Sequence, residues 1–412
     1  MNYFRIIRKR LRTLGVKPKD ARLVSLDFDY QVKCQGINRA LSYFKNLGDT
    51  LIGYISGSGY KAPWVATYDG YPRKWLCLKD YPLEVQLRVA KMSRVILLSQ
   101  PTPDMVRKLH SAATDPFEDQ GALTTLSTLQ KVGLEYWGLR IPEFEFRFGT
   151  VTKSARTYVS RSVPRGTEVG FDLQSIHSCY FAWSGLIHKL PNWQEVLYPI
   201  SPSWLNKPEH RHLPVESSVG VLRGVMENGG KLRIFAAPNV LLQNLLTPLQ
   251  EWLDKLRDQV GTDVYRDQRS GALWAQACMR QGREVHSIDL SSATCRYPFA
   301  VQIELCELLG VPTEMLTLYR AVARGTWKVL PNMVPYFGES IRWAVGQPLG
   351  VNPSMSSFAL SHNLVLTGLC VQLGLDPMDS FRVLGDDVVC ADRRLAERYR
   401  QVITSNGISI SE

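Results

Sequence analysis

The sequence predicts an α+β fold in which helices cover one face of an antiparallel sheet. Three observations predict it. The segment REVHSIDL alternates as a strand and ends on Asp289. VLGDDVVCAD, residues 383–392, places Gly-Asp-Asp between two apolar runs and reads as a short hairpin. From residue 284 on, the order is strand, helices, a loop feeding a helix, the hairpin, a charged helix and a final GISIS.

The chain opens MNYFRIIRKRLRTLGVKPKD, with five basic residues by Arg12 and no acid before Asp20. A basic helix touching RNA or phosphate, or a solvated helix face, suits this better than a mitochondrial presequence, which would carry serines. Residues 1–140 mix helical patterns such as LEVQLRVAKMSRVILLSQ with aromatic-rich loops. KSARTYVSRSVPRG, 153–166, alternates basic and small polar residues and reads as an exposed loop or edge hairpin. Pro-rich loops follow around 199–214, then GGKLRIFAAP, a glycine turn and a short strand.

Over 238–259, Leu241, Leu242, Leu245, Leu246, Leu249, Trp252, Leu253 and Leu256 recur at helical steps. Helical patterns also cover 298–309 and 313–324. VGQPLGVNPS is a Gly/Pro loop feeding a helix over 357–375. The longest apolar stretch, FALSHNLVLTGLCVQLGL at 358–375, is interrupted by His362, Asn363 and Gln372, so a buried helix is expected and not a membrane span. A charged helix is expected over 392–405.

The chain has 412 residues, enough for two or three domains or one multi-lobed unit. Its 45% apolar and 21% charged content excludes general disorder. A net charge of +11 points to a polyanionic partner, most often nucleic acid, although it also serves solubility. There is no internal repeat or low-complexity tract. The eight cysteines form no CxxC pair, and His210 and His212 lack a second ligand pair, so reduced thiols in an intracellular compartment are expected.

Asp289, Asp386 and Asp387 would meet if the strand and the hairpin are sheet neighbours. Hard divalent cations prefer such oxygen ligands, and a pair of metals activates an attacking hydroxyl and stabilises a leaving phosphate oxygen. These residues also suit a plain surface hairpin and a helix cap before SSAT, and alone they admit both readings. Lys231 and Arg233 alternate on one strand face, which suits gripping a triphosphate or an ordinary basic strand edge. GQPLGVNPSMSS, 346–357, is a loop that a nucleic-acid strand could approach closely, or a turn with a helix cap.

The order of these pieces resembles the palm of viral RNA-dependent RNA polymerases, closest to the narnavirus, mitovirus and botourmiavirus group. GGKLRIFAAPNVLLQNLLTPL resembles the group's motif F and its following helix, and TDVYRDQ, 262–268, its short Asp-Gln segment. DLSSATCRYP resembles motif A. RWAVGQPLGVNPSMSSFALSHN and LGDDVV resemble motifs B and C. The resemblance covers roughly 220–412. It implies a right-hand polymerase with fingers and a ferredoxin-like antiparallel palm, performing template-directed RNA synthesis with two magnesium ions, for which manganese may stand in. It divides the chain into an N-terminal region and fingers over 1–220, fingers with motif F over 221–283, and the palm over 284–412. It implies that Asp289 and Asp386 bind both metals with Asp387 supporting, and that Lys231 and Arg233 contact the triphosphate. Gly346, Gln347, Gly350 and Ser354 would shape the template and nucleotide pocket. Lys153, Arg156, Arg161 and Arg165 would contact RNA phosphates.

Two departures from the group stand out. Cys295 occupies the place of a second motif A aspartate that helps recognise the ribose 2′-hydroxyl. A thiol is a weak hydrogen-bond partner, so Asn352, Ser292 or Ser354 would substitute, or sugar selectivity would be weak. The sequence given also stops before the family's motif D lysine and thumb, which implies a fragment or a second polymerase chain. Two rivals remain at this stage: a reverse transcriptase, and a non-catalytic RNA-binding relic. Against the first, Gly385 and Thr294 stand where that class has an aromatic and a bulky sugar-excluding residue. The implied partners are RNA template and product and nucleoside triphosphates, without integral membrane association. The expected location is intracellular, the host cytoplasm ahead of the mitochondrion.

Overall fold

The computed structural model describes residues 3–95, 101–117, 119–149, 183–191, 218–227, 231–330 and 333–411. Lys153, Arg156, Arg161 and Arg165, and the pair His210 and His212, lie outside the described residues. The chain divides into two compact units, Met1–Val106 with Gly224–Arg233, and Arg107–Arg223 with Ile234–Glu412. These bounds differ from the ranges 1–220, 221–283 and 284–412 read from the sequence.

The first unit is mainly helical, with α1 (Tyr3–Thr13), α2 (Pro18–Gln35), α3 (Ile37–Ile55) and α4 (Leu83–Ala90), plus a short ribbon of β1 (Thr67–Tyr68) and β2 (Tyr71–Pro72). Helix α1 forms as its basic composition predicts. Ile7 and Leu11, four residues apart, enter the core, while Arg5, Lys9, Arg10 and Arg12 stay exposed. Phe28, Phe44 and Trp75 fill that core edge to face, with ring centroids 4.7 and 5.6 Å apart.

The second unit holds two four-stranded sheets. One contains β3 (Ser218–Glu227), β4 (Lys231–Pro238), β6 (Thr326–Val329) and β7 (Ser340–Ile341), in the order β4-β3-β6-β7. The outer ends of β3 and β4, residues 224–233, belong to the first unit. The parallel pairing of β3 with β6 joins segments about a hundred residues apart in sequence. The other sheet runs β10-β5-β9-β8, from β5 (His286–Leu290), β8 (Phe381–Leu384), β9 (Asp387–Cys390) and β10 (Ile410–Ser411). All its pairings are antiparallel.

The helices of ten or more residues lying wholly in this unit, among the described residues, are α5 (Gln120–Trp137), α6 (Val240–Arg257), α7 (Gln268–Arg280), α8 (Phe299–Leu308), α9 (Thr313–Ala323), α10 (Asn352–Gln372) and α11 (Arg393–Ser405). Residues alternate along β5 and β9. Ile288, Leu290, Val388 and Cys390 turn inward onto Leu126, Phe358, Val365, Leu369 and Tyr399 of the helices, whereas Asp289 and Asp387 stay exposed. Helices therefore gather on one face of this antiparallel sheet, as the sequence predicts.

Helix α10 is apolar on every side and buried nearly throughout. It is long and apolar enough to cross a bilayer, yet 89% of its apolar window is buried, so it serves as a core helix. A Cβ on Gly368 would overlap the carbonyl oxygen of Leu129, and one on Gly133 the carbonyl oxygen of Leu364. These reciprocal glycines let α5 and α10 touch backbone to backbone. The helix begins at Asn352, five residues before the expected start, because Pro353 falls in the first turn, where its missing N–H costs nothing. Helices α6 and α11 also carry their own caps. Asn239 accepts from Leu241 N at 2.9 Å, and Asp392 from Arg394 N at 2.8 Å.

Candidate active site

Strand β5 pairs with β9 in the register Ile288↔Val388 and Asp289↔Asp387. Residues opposite each other in an antiparallel ladder project from the same face. The carboxylates of Asp289 and Asp387 therefore share the open face of the sheet, where Ser411 also pairs with Asp289. Asp386 is half-buried in the turn between β8 and β9, behind Gly385 at φ +64°. That left-handed backbone suits glycine.

The donors at this edge are oxygen only. Two facing carboxylates exposed on the open sheet face match the usual surroundings of magnesium, which takes its remaining ligands from water or substrate. Among the described residues no group of three or more His, Cys, Asp or Glu side chains forms a ready-made metal cage. The residues fit a cation that shares its coordination with substrate.

Motif A continues from β5 into a strained turn. Ser292 is exposed at φ +53°, one of the few non-glycine residues in the left-handed region. Such strain costs on the order of 1 kcal/mol and concentrates at functional sites. Cys295 is half-buried, and its sulfur accepts from Trp343 Nε1 at 3.3 Å. Burial pushes its thiol pKa up, so it is a neutral thiol.

The loop 346–351 is held from several sides. Gly346 N donates to Cys295 O at 2.9 Å and Gln347 N to Thr294 O at 2.8 Å, and a Cβ on Gly346 would strike that same backbone. Arg324 donates to the carbonyls of Trp343, Val345 and Gly346 at 3.0, 2.7 and 3.0 Å. Gln243 of α6 donates to Gly350 O at 2.8 Å and accepts from Asn352 N at 3.0 Å. Gly350, at φ +116°, lies against the carbonyl of Ala236, where a Cβ would overlap. Asn352 donates its amide to Gln243 O and Thr247 Oγ1 at 3.1 and 2.8 Å.

Gln347 corrects the sequence-based expectation of a template contact. Its side chain is fully buried. It accepts from Tyr319 O–H at 2.6 Å and donates to Gln302 Oε1, Ser357 Oγ and the Ser354 carbonyl at 2.6, 3.1 and 3.2 Å. With its hydrogen-bonding groups engaged internally, Gln347 anchors the loop from within. Ser354 is likewise buried.

Lys231 and Arg233 open β4 and belong to the first unit. There, Arg233 is exposed and pairs with Glu227 at 2.7 Å.

The TDVYRDQ segment proves structural. Val264 N donates to Val383 O and Val383 N to Thr262 O, both at 3.0 Å, which straps the segment to β8. Thr262 Oγ1 donates to Asn363 Oδ1 at 2.7 Å. Asp263 accepts from Arg257 Nε at 2.9 Å, in a pair whose side chains are each 4% exposed.

Sequence reasoning missed Gln243, Arg324, Tyr319, His362 and Tyr399. The one signal for His362 was its interruption of an apolar run, since a buried polar group must find partners.

The family model described as Mitovirus RNA-dependent RNA polymerase matches residues 167–412, beginning upstream of the boundary near 220 that the motifs mark. The chain belongs to the mitovirus RNA-dependent RNA polymerase family. It is 27% identical over 195 residues to the RNA-directed RNA polymerase of Cryphonectria parasitica mitovirus 1, covering 47% of this chain and 23% of that protein. It is similar to two uncharacterized mitochondrial proteins of Arabidopsis thaliana. One is 31% identical, over 32% of this chain and 54% of that protein, and the other 32% identical, over 31% and 64%. The chain thus spans less than two thirds of the length of each of these relatives. Among solved structures, a crystal structure of an insertion-loop deletion mutant of a human picobirnavirus RNA-dependent RNA polymerase aligns with TM-score 0.34 and 19% identity, over 47% of this chain and 41% of that one.

Proposed function

We propose that this chain carries fingers and palm of a viral replicase and joins ribonucleotides on an RNA template at the edge bearing Asp289, Asp386 and Asp387. The observation that carries the proposal is the register of Asp289 against Asp387 on the open sheet face. Membership of the mitovirus polymerase family supports it and weighs against the reverse transcriptase, and the retained aspartates weigh against the relic.

Magnesium, or manganese in its place, would be held by Asp289, Asp386 and Asp387. When bound it supplies charge neutralisation at the attacking and leaving oxygens. The 3′-hydroxyl oxygen of the growing strand bonds to the α-phosphorus, the bond to the pyrophosphate oxygen breaks, and the hydroxyl proton is released. The protein's part is mostly positioning. The carboxylates fix the reacting edge, and Lys231 and Arg233 hold the triphosphate. Gly346 and Gly350 let the loop pack directly on the backbone of motif A and of β4, and so fix the surface it offers to the template. Ser292 and Cys295 border the nucleotide sugar, Asn352 and the buried Ser354 shape that pocket through the loop they hold, and Gln347 supports the loop from below. Lys153, Arg156, Arg161 and Arg165 add salt-sensitive RNA contacts. A ferredoxin-like palm is part of the same reading. The names of the relatives support a mitochondrial or cytoplasmic site of action, and give the mitochondrion more weight than its sequence does.

The test is extension of an annealed RNA primer with magnesium, by wild type and Asp386→Ala, with and without a chain carrying the family's later motifs, and with ribo- or deoxyribonucleotides. Metal-dependent ribonucleotide addition lost in the variant is expected. Equal background synthesis in every mixture would overturn the proposal, and preferential deoxyribonucleotide addition would favour a reverse transcriptase.

A further inference from the structure

We infer that His362 and Tyr399 are positioning residues that hold the Gly-Asp-Asp turn from behind through a directed relay, Tyr399 O–H to His362 Nε2 and His362 Nδ1–H to the Gly385 carbonyl. The inference rests on the reading of Asp386 and Asp387 as cation-binding residues.

His362 lies in the middle of α10 and is fully buried. Its Nδ1 is 2.9 Å from the Gly385 carbonyl oxygen and its Nε2 is 2.6 Å from the Tyr399 hydroxyl on α11. A carbonyl only accepts, so Nδ1 carries the proton. Burial lowers the His362 pKa to about 4, so the neutral ring has one proton, and Nε2 accepts from Tyr399. Burial chiefly, with the charge of Asp386 among the lesser causes, keeps the Tyr399 hydroxyl protonated and able to donate.

The ring cannot easily turn away. Phe358 stacks on it at 5.3 Å and 16°, and Tyr297 meets it edge-on at 6.0 Å. Every direction in the relay is therefore fixed by chemistry and packing, and its end is the carbonyl of the residue before Asp386. A buried imidazole N–H must find an acceptor, and here the acceptor it finds is the turn carbonyl that precedes Asp386. The relay links α10 and α11 to the one bend whose peptide orientation sets where both aspartates begin. This matters because two adjacent carboxylates repel each other and would otherwise loosen a short hairpin.

The experiment uses the full chain with His362→Phe, His362→Asn and Tyr399→Phe. Phenylalanine keeps the ring and removes both hydrogen bonds. Asparagine places an amide N–H near the Nδ1 position. Tyr399→Phe removes a single oxygen and preserves folding if the histidine variants do not fold. Hydrogen exchange of peptide 381–390 and manganese affinity without RNA are measured for each. Loss of one buried hydrogen bond corresponds to roughly a tenfold rise in exchange. That rise, with weaker manganese binding, is expected in His362→Phe, a smaller one in Tyr399→Phe, and substantial recovery in His362→Asn. Exchange and manganese affinity at wild-type levels in His362→Phe, or in Tyr399→Phe if the former does not fold, would overturn the relay. Faster exchange in a protein that binds no manganese even as wild type would leave the relay standing and sink the cation-site reading instead.

Discussion

Asp289 and Asp387 sit directly opposite each other in the β5–β9 ladder, on the solvent side, while Ile288 and Val388 form the next pair on the buried side. Like charges placed opposite one another destabilise a sheet by up to about 1 kcal/mol. Asp387→Asn should therefore raise the thermal midpoint in chelator. Magnesium should then stabilise wild type more than the variant. A midpoint that falls in chelator would mean the two carboxylates do not repel across this ladder.

The Arg257–Asp263 pair tests whether the TDVYRDQ strap is structural. Both side chains are almost fully buried, and Asp263 also accepts from Tyr265 N at 2.9 Å. Removing one partner of a buried pair typically costs about 3–5 kcal/mol, and because Arg257 keeps a second partner, Asp254 at 3.3 Å, the lower end of that range is expected. Asp263→Ala should lower the stability of the second unit by that order in urea unfolding. A loss below about 1 kcal/mol would show a pair worth no more than an exposed one.

Cys295→Asp should sharpen discrimination between ribo- and deoxyribonucleotides, because it restores the carboxylate of the family pattern. Its thiol now accepts from Trp343 Nε1 and is also hydrogen-bonded by the Thr294 side chain. Cys295→Ser, closer in size, should change the ratio less. Primer extension with matched nucleotide pairs measures both. An unchanged ratio in a folded Cys295→Asp protein would assign Cys295 to packing alone.

The buried imidazole of His362 gives stability a pH dependence with a definite sign. Burial lowers its folded pKa to about 4, from the ordinary histidine value of 6.5. Between those values the unfolded chain binds the extra proton, so stability is fully present above pH 6.5 and is lost as pH falls toward 4. The loss is on the order of 3 kcal/mol. The difference in unfolding free energy between wild type and His362→Phe should shrink over that window, which removes the common contribution of the carboxylates. A difference independent of pH would contradict a neutral, buried His362.

The sheet and its aspartates were legible because alternation fixes which residues turn inward. Ile288, Leu290, Val388 and Cys390 are apolar and every second residue between them is not uniformly so. The register was not legible. VLGDDVV has apolar residues on both sides of the aspartates, so nothing local decided whether Asp386 or Asp387 faces Asp289. Gln347 was misread because its Gly and Pro neighbours suggest an open loop, whereas Tyr319 and Gln302, distant in sequence, draw it inward. The parallel pairing of β3 with β6 left no local trace, since it is set by tertiary packing across a long stretch of chain.

Manganese binding to wild type, Asp289→Asn, Asp387→Asn and the double variant, followed by electron paramagnetic resonance in the presence of a nucleoside triphosphate, tests the shared carboxylate site most directly. If both side chains serve one ion, each single change weakens binding by about tenfold or more, and the double change falls far short of the product of the two losses. Wild-type affinity in either single variant, or losses that simply multiply, would contradict a site shared by Asp289 and Asp387.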